Sequence, residues 1–401
     1  RLLLFVLVAA GLPAQNYDLL IKGGHVVDPK NGVNGRMDVA ITAGKIARVA
    51  ASIPASEAKR VANADGLYVT PGLVDIHVHV YAGTGMKGVL TGDSSVYPDP
   101  LSFRSGTTTM VDCGSSGWRN FEDFKQRVID RARTRVLAFV NIVGEGMGPK
   151  GESDPAEMSP EACAALAKKY PRIVVGFKTA HYDGPGWPSI DAVTKAGRLA
   201  DLPAMIDFGV LNKERNIEIL FRDKLRAGDI YTHCFSGHRD EVVDGKLNPA
   251  MVAARKKGIF FDIGHGGGSF YWDVATAALA AGFKPDSISS DLHTGSMNSG
   301  FKDMPNLMSK MMAGGMTLEE VVRASTWNPA QQIKRPDLGH LTVGAEADVT
   351  VLKLEKGTFG FLDSAGARRE GTQRLTAELT VRAGKVEWDL NGRAAPDWRT
   401  F

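Results

Sequence analysis

The 401-residue sequence has few cysteines, no excess of charge of one sign and only one long apolar run. Cys113, Cys163 and Cys234 are an odd number at unrelated spacings, which argues against a disulfide framework or a thiolate zinc site. Lys and Arg number 48 against 45 Asp and Glu, giving a net charge of +3 without a basic cluster. Nucleic acid is therefore not an expected partner. The remaining composition is that of a globular chain long enough for one large domain or two smaller ones.

The apolar run lies at the start of the sequence, over residues 2–10, and Gly11-Leu12-Pro13-Ala14 follows it. This pattern predicts a secretory signal peptide over residues 1–15, with cleavage near Ala14. The run is too short to span a bilayer. A buried N-terminal strand is the alternative. We expect the mature protein to be exported, to the periplasm or outside the cell, and to have no membrane attachment once the signal is removed.

Short strand-like segments bounded by Gly and Pro fill both ends of the chain, for example residues 18–22 and 347–352. Two β-rich arms at opposite ends of a chain can pair with each other. We therefore predict a small β-sandwich domain made of residues 16–70 together with residues 335–401.

Between the arms, over residues 71–334, short apolar runs alternate with helix-like stretches. Eight such runs in this length match the size and period of a (β/α)₈ TIM-like barrel. A doubly wound open sheet is the structural alternative. The candidate strands cover residues 73–80, 107–113, 136–143, 173–178, 203–208, 229–233, 259–263 and 287–291.

Polar side chains at the ends of these runs carry the functional signal. His77 and His79 lie two residues apart, so in a strand both side chains point to the same side. A further four residues close or directly follow other runs, and the carboxyl ends of barrel strands are where barrel enzymes keep their active sites. These four are Lys178, His233, His265 and Asp291.

Imidazole and carboxylate groups without thiolate favour a hard or borderline divalent metal ion, with zinc as first choice. Lys178 is unexpected in such a group, because an ammonium repels a cation. It fits if its amine has reacted with carbon dioxide to give a carbamate, an anion whose two oxygens can bridge two metal ions. The alternative is a lysine that reaches solvent or pairs with Asp183.

Several sequence motifs resemble those of the amidohydrolase superfamily, in its dihydroorotase-like part. Within that part, they are most similar to the amidohydrolase/deacetylase family of metallohydrolases. The resemblance covers nearly the whole mature chain and implies a metal-dependent hydrolase barrel. It is carried by PGLVDIHVH (71–79), SGTTTMVD (105–112), THCFSG (232–237), FDIGHGG (261–267), SDLH (290–293), NPA (328–330) and GHLTVGAEAD (339–348).

The resemblance also implies a ligand set for two divalent ions, most simply Zn²⁺. One ion would lie on His77, His79, carboxylated Lys178 and Asp291. The second would lie on Lys178, His233 and a residue from the fifth strand, where this sequence has Asp207 in place of the family's usual histidine. A carboxylate can bind zinc, but the exchange adds a negative charge and shortens the reach.

The expected reaction is hydrolysis of an amide, a cyclic amide or an acyl ester of a small molecule by metal-activated water. Asp291 is the candidate for proton transfer, and His265 and His293 are candidates for binding substrate. A loop position is expected for His181, and a solvated face for the segment around Arg239. The alternatives are a deaminase acting on a purine-like ring and a metal-free interaction scaffold. A homo-oligomer is compatible with the sequence.

Overall fold

The computed structural model describes residues 15–207, 209 and 214–400. Residues 1–14 of the predicted signal peptide lie outside this part of the chain, so export stays a prediction. The strands, in chain order, are β1 (Leu19–Asp28), β2 (Val33–Thr42), β3 (Lys45–Ala50), β4 (Val61–Asn63), β5 (Tyr68–Pro71), β6 (Leu73–Val78), β7 (Thr107–Gly117), β8 (Arg135–Asn141), β9 (Val174–Thr179), β10 (Ala204–Ile206), β11 (Ile230–Tyr231), β12 (Val242–Val243), β13 (Lys246–Leu247), β14 (Phe260–Phe261), β15 (Val349–Leu362), β16 (Arg368–Arg382) and β17 (Lys385–Asp389).

The α-helices of the described residues lie mainly between the strands of the central region. They are α1 (Asp99–Ser102), α2 (Phe121–Phe124), α3 (Pro160–Lys169), α4 (Pro188–Ala200), α5 (Ile217–Ile219), α6 (Pro249–Lys257), α7 (Trp272–Ala280), α8 (Met304–Ala313), α9 (Leu318–Ser325) and α10 (Trp327–Gln332). Helix α3 starts where Ser159 accepts a hydrogen bond from the Ala162 N–H. None of these helices combines the length and the apolar character needed to cross a bilayer.

The central region forms a parallel sheet in the order β6-β7-β8-β9-β10-β11-β14. Every residue of β6 and β7 is buried, as expected of parallel strands covered on both faces. The strand order follows the chain without reversal, whereas a doubly wound open sheet requires a reversal.

Residues 287–292 occupy the eighth position of this sheet. Parallel bridges join Ser287 to Asp262 at one edge and Leu292 to Val78 at the other. The two edges of the sheet therefore curl towards each other through this segment. The eight apolar runs predicted from the sequence coincide with these eight positions, although the last forms isolated bridges and not a regular strand.

Both arms of the chain contribute to a second sheet, in the order β17-β16-β15-β5-β1-β2-β3, with β4 beside β1. The join between the arms is the antiparallel pair β5 and β15, in which Thr70 lies opposite Thr350. Buried side chains from both arms share one core, including Ile21, Val69 and Val381. The predicted pairing of the arms is confirmed, while the two packed layers of a sandwich stay a prediction.

A buried ion pair joins the two sheets. Arg135, at the start of β8, pairs with Asp348 and lies 2.9 Å from the Glu346 carboxylate, and both Arg135 and Asp348 side chains are about nine-tenths buried. Asp348 also accepts a hydrogen bond from the Ala383 N–H at 2.9 Å. The barrel and the second sheet are therefore held together by an ion pair that has little access to water.

Substituting Asp348→Ala is expected to lower the free energy of unfolding by about 3 kcal/mol, because it leaves the Arg135 guanidinium buried with one partner fewer. Chemical denaturation measures this. Asp223→Ala is the matched control, since Asp223 pairs with an exposed arginine and its loss should cost less than about 1 kcal/mol. Equal effects of the two substitutions would contradict the buried role of Asp348.

Candidate active site

The residues predicted to bind metal come together at the carboxyl ends of the barrel strands. They are all buried or nearly so, and they come from five positions of the sheet: His77 and His79 from the end of β6, Lys178 from β9, Asp207 from the end of β10, His233 from the end of β11, and Asp291 from the eighth position. Residues far apart in the chain therefore share one rim.

His77 is oriented by a chain of hydrogen bonds that runs away from the site. Its Nδ1 lies 2.9 Å from the Thr232 hydroxyl, and that hydroxyl donates to Asp262 at 2.8 Å. Because the Thr232 proton goes to Asp262, the Thr232 oxygen accepts from the Nδ1–H of His77. Nε2 of His77 is thereby left with a lone pair facing the rim.

His233 has the same polarity. Its Nδ1 lies 2.6 Å from the Gly264 carbonyl oxygen, which can only accept, so Nδ1 carries the proton and Nε2 carries the lone pair. Gly264 has a φ of 47°, and a Cβ there would lie 2.3 Å from the Thr232 hydroxyl oxygen. A glycine is therefore required where the His77 and His233 supports meet.

The Nε2 atoms of His77 and His79 both lie close to the carboxylate of Asp291. Its Oδ1 lies 3.0 Å from His79 Nε2 and 3.5 Å from His77 Nε2. One ligand atom from each of His77, His233 and Asp291 lies within 4.8 Å of the others. Burial, assisted by the neighbouring Lys178, lowers the pKa of His77 to about 3, so its ring is neutral at physiological pH. A neutral imidazole and a carboxylate that face each other fit a divalent cation.

Two of these residues have a strained backbone. His233 has a φ of 61° and Asp291 a φ of 50°, a region that side-chain-bearing residues adopt at a cost. This backbone conformation directs both side chains away from regular strand geometry and towards the common centre.

Lys178 is fully buried. Its Nζ lies 3.2 Å from Cys113 Sγ and 3.3 Å from His77 Nε2, and no carboxylate oxygen of the described residues is within 4.0 Å. Burial raises the pKa of the Cys113 thiol, so the sulfur carries no charge to balance the ammonium. Lys178 therefore points into the site, and its predicted alternatives of solvent contact and pairing with Asp183 are wrong.

The two carboxylate oxygens of Asp207 face different groups. Arg239 donates to its Oδ1, while Oδ2 lies 3.3 Å from His233 Nε2 and 3.6 Å from His181 Nε2. Arg239 and Glu241 are buried while His238 and Asp240 are exposed, so the expected solvated face is correct for only half of this segment. The guanidinium balances the carboxylate and leaves one oxygen of Asp207 facing the rim.

His181 lies in the loop after β9, as expected, and this loop brings it to the site. Its Nδ1 lies 2.9 Å from the Glu152 carboxylate, which raises the pKa of His181 to about 9 although burial opposes the shift. The ring is a cation at neutral pH and stands beside Asp207.

The two predicted substrate residues differ in their surroundings. His265 is fully buried, its Nδ1 lies 2.9 Å from the Gly266 carbonyl oxygen, and Lys310 donates to its Nε2 at 2.6 Å. Both nitrogens of His265 are thus engaged within the protein, which contradicts the expected free donor. His293 is partly exposed and accepts from the Gly295 N–H through Nδ1, so its Nε2–H remains a donor near His79.

Thr232, Asp262 and Glu152 were not predicted as functional residues, and Arg239 was expected to be solvated. Thr232 and Asp262 could have been found from the alternation of side chains along a strand. Thr232 lies next to the predicted site residue His233, and Asp262 lies near the end of the predicted strand 259–263. Glu152 lies in a long loop, and no pattern in the sequence connects that loop with His181.

The fold and the site define a β/α-barrel enzyme with a buried imidazole and carboxylate centre. The model of the amidohydrolase family matches residues 271–386. A deacetylase from Enterococcus faecalis is 30% identical over 382 residues, which cover 93% of this chain and 99% of that protein. The chain therefore belongs to the amidohydrolase family, as the sequence motifs predict, and it is a hydrolase of carbon-nitrogen or acyl bonds.

Two crystal structures extend the likeness over the fold. One, of an adenine deaminase, has a TM-score of 0.83 at 29% identity and covers 93% of this chain and 100% of that chain. The other, of a dihydroorotase, has a TM-score of 0.78 at 30% identity and covers 92% of this chain and 98% of that chain. The names of these relatives differ, so the likeness defines the class of hydrolase and leaves the substrate open.

Substituting Thr232→Val is expected to weaken zinc binding about 10- to 100-fold, because His77 loses the acceptor that fixes its Nδ1–H. Competition with a chromophoric chelator measures the affinity. Thr194→Val is the matched control: that hydroxyl is also buried but donates to a carbonyl of its own helix, 2.8 Å away. Unchanged zinc affinity in Thr232→Val would contradict the orienting role.

His181 of the metal-free protein is expected to titrate near pH 9. Glu152→Gln should lower this pKa by about one pH unit or more, since the protonated ring loses its anionic partner. The C2–H resonance of His181 in an NMR titration reports it. Asp154→Asn, a nearby exposed carboxylate without contact to the ring, is the control. A wild-type pKa near 6.5 would contradict the pairing with Glu152.

Proposed function

We propose that this protein is a metal-dependent hydrolase that cleaves an amide, a cyclic amide or an acyl ester bond of a small molecule. The observation that carries the proposal is the convergence of ligand atoms from His77, His233 and Asp291 within 4.8 Å. Nε2 of His77 and the Asp291 carboxylate both present lone pairs to this point, an arrangement that suits a metal cation between them.

Two divalent ions, most simply Zn²⁺, are proposed cofactors. His77, His79, Lys178 and Asp291 would hold one, and Lys178, Asp207 and His233 the other. Divalent ions in such a site supply a water of lowered pKa and an electrophile for a carbonyl oxygen. The chain orients the donors through Thr232, Asp262 and Ser115, the last lying 2.9 Å from His79 Nδ1.

Lys178 is proposed to bind as a carbamate. The neutral amine adds to carbon dioxide, forming a nitrogen-carbon bond and releasing one proton. Support comes from its surroundings: a buried ammonium without a carboxylate partner is costly, whereas a carbamate is the anion that a cation site needs. Gly114 has a φ of 83° and, lacking a Cβ, leaves room for the Lys178 side chain.

Asp291 is the proposed catalytic residue. Its carboxylate lies at the centre of the rim, where it can accept a proton from the attacking water and return it to the leaving nitrogen or oxygen. His293, with its Nε2–H free among the described residues, is the remaining candidate to donate a hydrogen bond to substrate.

Asp207 can serve as a ligand in spite of its extra charge. Arg239 neutralises it through Oδ1, while Oδ2 stays beside His233. The pair therefore brings no net charge to the position.

We also propose that the enzyme is exported, because the apolar run at residues 2–10 is typical of a signal peptide.

A deaminase of purine-like rings is the second candidate, favoured by the adenine deaminase structure at a TM-score of 0.83. A metal-free scaffold is disfavoured, because all the predicted metal-binding positions remain gathered at one rim.

The deciding experiment is a hydrolysis screen of N-acyl amino acids, O-acetyl hydroxy acids and cyclic amides in the presence of zinc and bicarbonate. A parallel panel of aminopurines, followed by ammonia release, tests the deaminase. Metal analysis of the purified protein accompanies both. Less than one equivalent of divalent metal in the active protein, or turnover only of aminopurines, would refute the proposed function.

On any true substrate, Lys178→Ala is expected to abolish turnover, because it removes the bridging anion. Short carboxylates such as propionate, added at millimolar concentration, should restore part of the rate by filling the vacated position. Steady-state kinetics measure both effects. Lys169→Ala, which removes an exposed lysine paired with Glu122, is the control and should retain full activity. Unchanged rates in Lys178→Ala would refute the carbamate.

A further inference from the structure

Lys310 is a second fully buried lysine, on helix α8, and it lies outside the metal-binding rim. Its Nζ donates to three acceptors: His265 Nε2 at 2.6 Å, the Leu362 carbonyl at 2.6 Å and the Gly300 carbonyl at 3.1 Å. Burial lowers the pKa of Lys310 to about 7. In the ammonium form the group has three N–H bonds, and each has an acceptor here. The three acceptors belong to three separate segments of the chain.

The contact with Lys310 fixes the ring of His265. The Gly266 carbonyl can only accept, so Nδ1 of His265, 2.9 Å away, carries the proton, and Nε2 of the neutral ring accepts from Lys310. The ring also stacks on Phe270, with centroids 4.8 Å apart and planes inclined by 13°. Burial lowers the pKa of His265 to about 3, in keeping with a neutral ring.

Gly266 connects this ring with the proposed catalytic carboxylate. Its N–H donates to the Ser290 carbonyl at 2.9 Å, and its φ is 52°. A Cβ on Gly266 would lie 2.3 Å from Asp291 Oδ2, so the backbone of Gly266 packs directly against that oxygen. A shift of Gly266 would therefore move the Asp291 carboxylate.

The tip of the hairpin between β15 and β16 contacts the same loop. The Leu362 carbonyl accepts a hydrogen bond from Lys310. The Ser364 N–H donates to the Phe270 carbonyl at 2.9 Å, and Trp272 Nε1 donates to the Phe361 carbonyl at 2.9 Å. A strand pair that starts in the second sheet thus reaches the barrel rim and supports the loop after β14.

We propose that Lys310 is a positioning residue: through His265 and Gly266 it holds the carboxylate of Asp291 in place, and through Leu362 it makes that placement depend on the β15–β16 hairpin. This rests on the role proposed above for Asp291.

The first test is Lys310→Met, which keeps an unbranched side chain and removes all three donors. Zinc affinity, measured by chelator competition without substrate, is expected to fall about tenfold or more, and kcat by a similar factor, with KM within about twofold. Lys302→Met is the matched control, since Lys302 is exposed and donates to the Ser299 carbonyl without contacting His265.

Two variants of His265 keep the proposal testable if Lys310→Met does not fold. His265→Phe keeps the stacked ring but removes both hydrogen bonds, and it should reproduce the loss of zinc affinity. His265→Gln retains an acceptor for Lys310 and a donor for Gly266, and it should stay within about threefold of the wild type. A merely space-filling role would give the opposite order.

Folded Lys310→Met or His265→Phe with zinc affinity and kcat within about twofold of the wild type would overturn the proposal. The zinc measurement also separates it from the proposed function. A wild-type protein that binds zinc but cleaves none of the substrates refutes the function, while the Lys310 variants still decide the positioning role. A wild-type protein without zinc affinity overturns both.

Discussion

The structure depends on one constraint: each polar group buried at the rim needs a partner, and the partner of one ring nitrogen decides what the other can do. Thr232 and the Gly264 carbonyl take the Nδ1–H of His77 and His233, so both Nε2 atoms face inward as acceptors. His265 has the same polarity, but its Nε2 accepts from Lys310 and so is not available at the centre. Histidine thus provides candidate metal ligands at the centre of the site, through His77 and His233, and a structural contact next to it, through His265.

The sequence allowed the barrel to be predicted because parallel strands buried on both faces leave continuous apolar runs, and because His77, His79, Lys178 and His233 end such runs. The same rule placed His265 at the rim but could not reveal its occupied nitrogens, since Lys310 is 45 residues away along the chain. His181 and Glu152 come from different loops. Their pairing depends on three-dimensional packing that neither periodicity nor spacing encodes.

Asp207 shows how a change of charge at a buried position is tolerated. A carboxylate there would repel Asp291 and any anionic bridge, yet Arg239 lies against its outer oxygen. The compensating residue is 32 positions further along the chain, in a segment rich in charged residues. From sequence alone such a segment resembles a solvated face, and only burial of the guanidinium distinguishes the two cases.

The pairing of β5 with β15 has a mechanical consequence. The chain segment 72–348 lies between β5 and β15. Its two ends are therefore held together by this antiparallel strand pair, in which Thr70 lies opposite Thr350. Tension applied to the two arms is borne first by the second sheet, and the barrel remains unloaded until the ladder ruptures. A pulling force that reaches the protein through its chain ends therefore acts on this strand pair before it can extend the barrel segment.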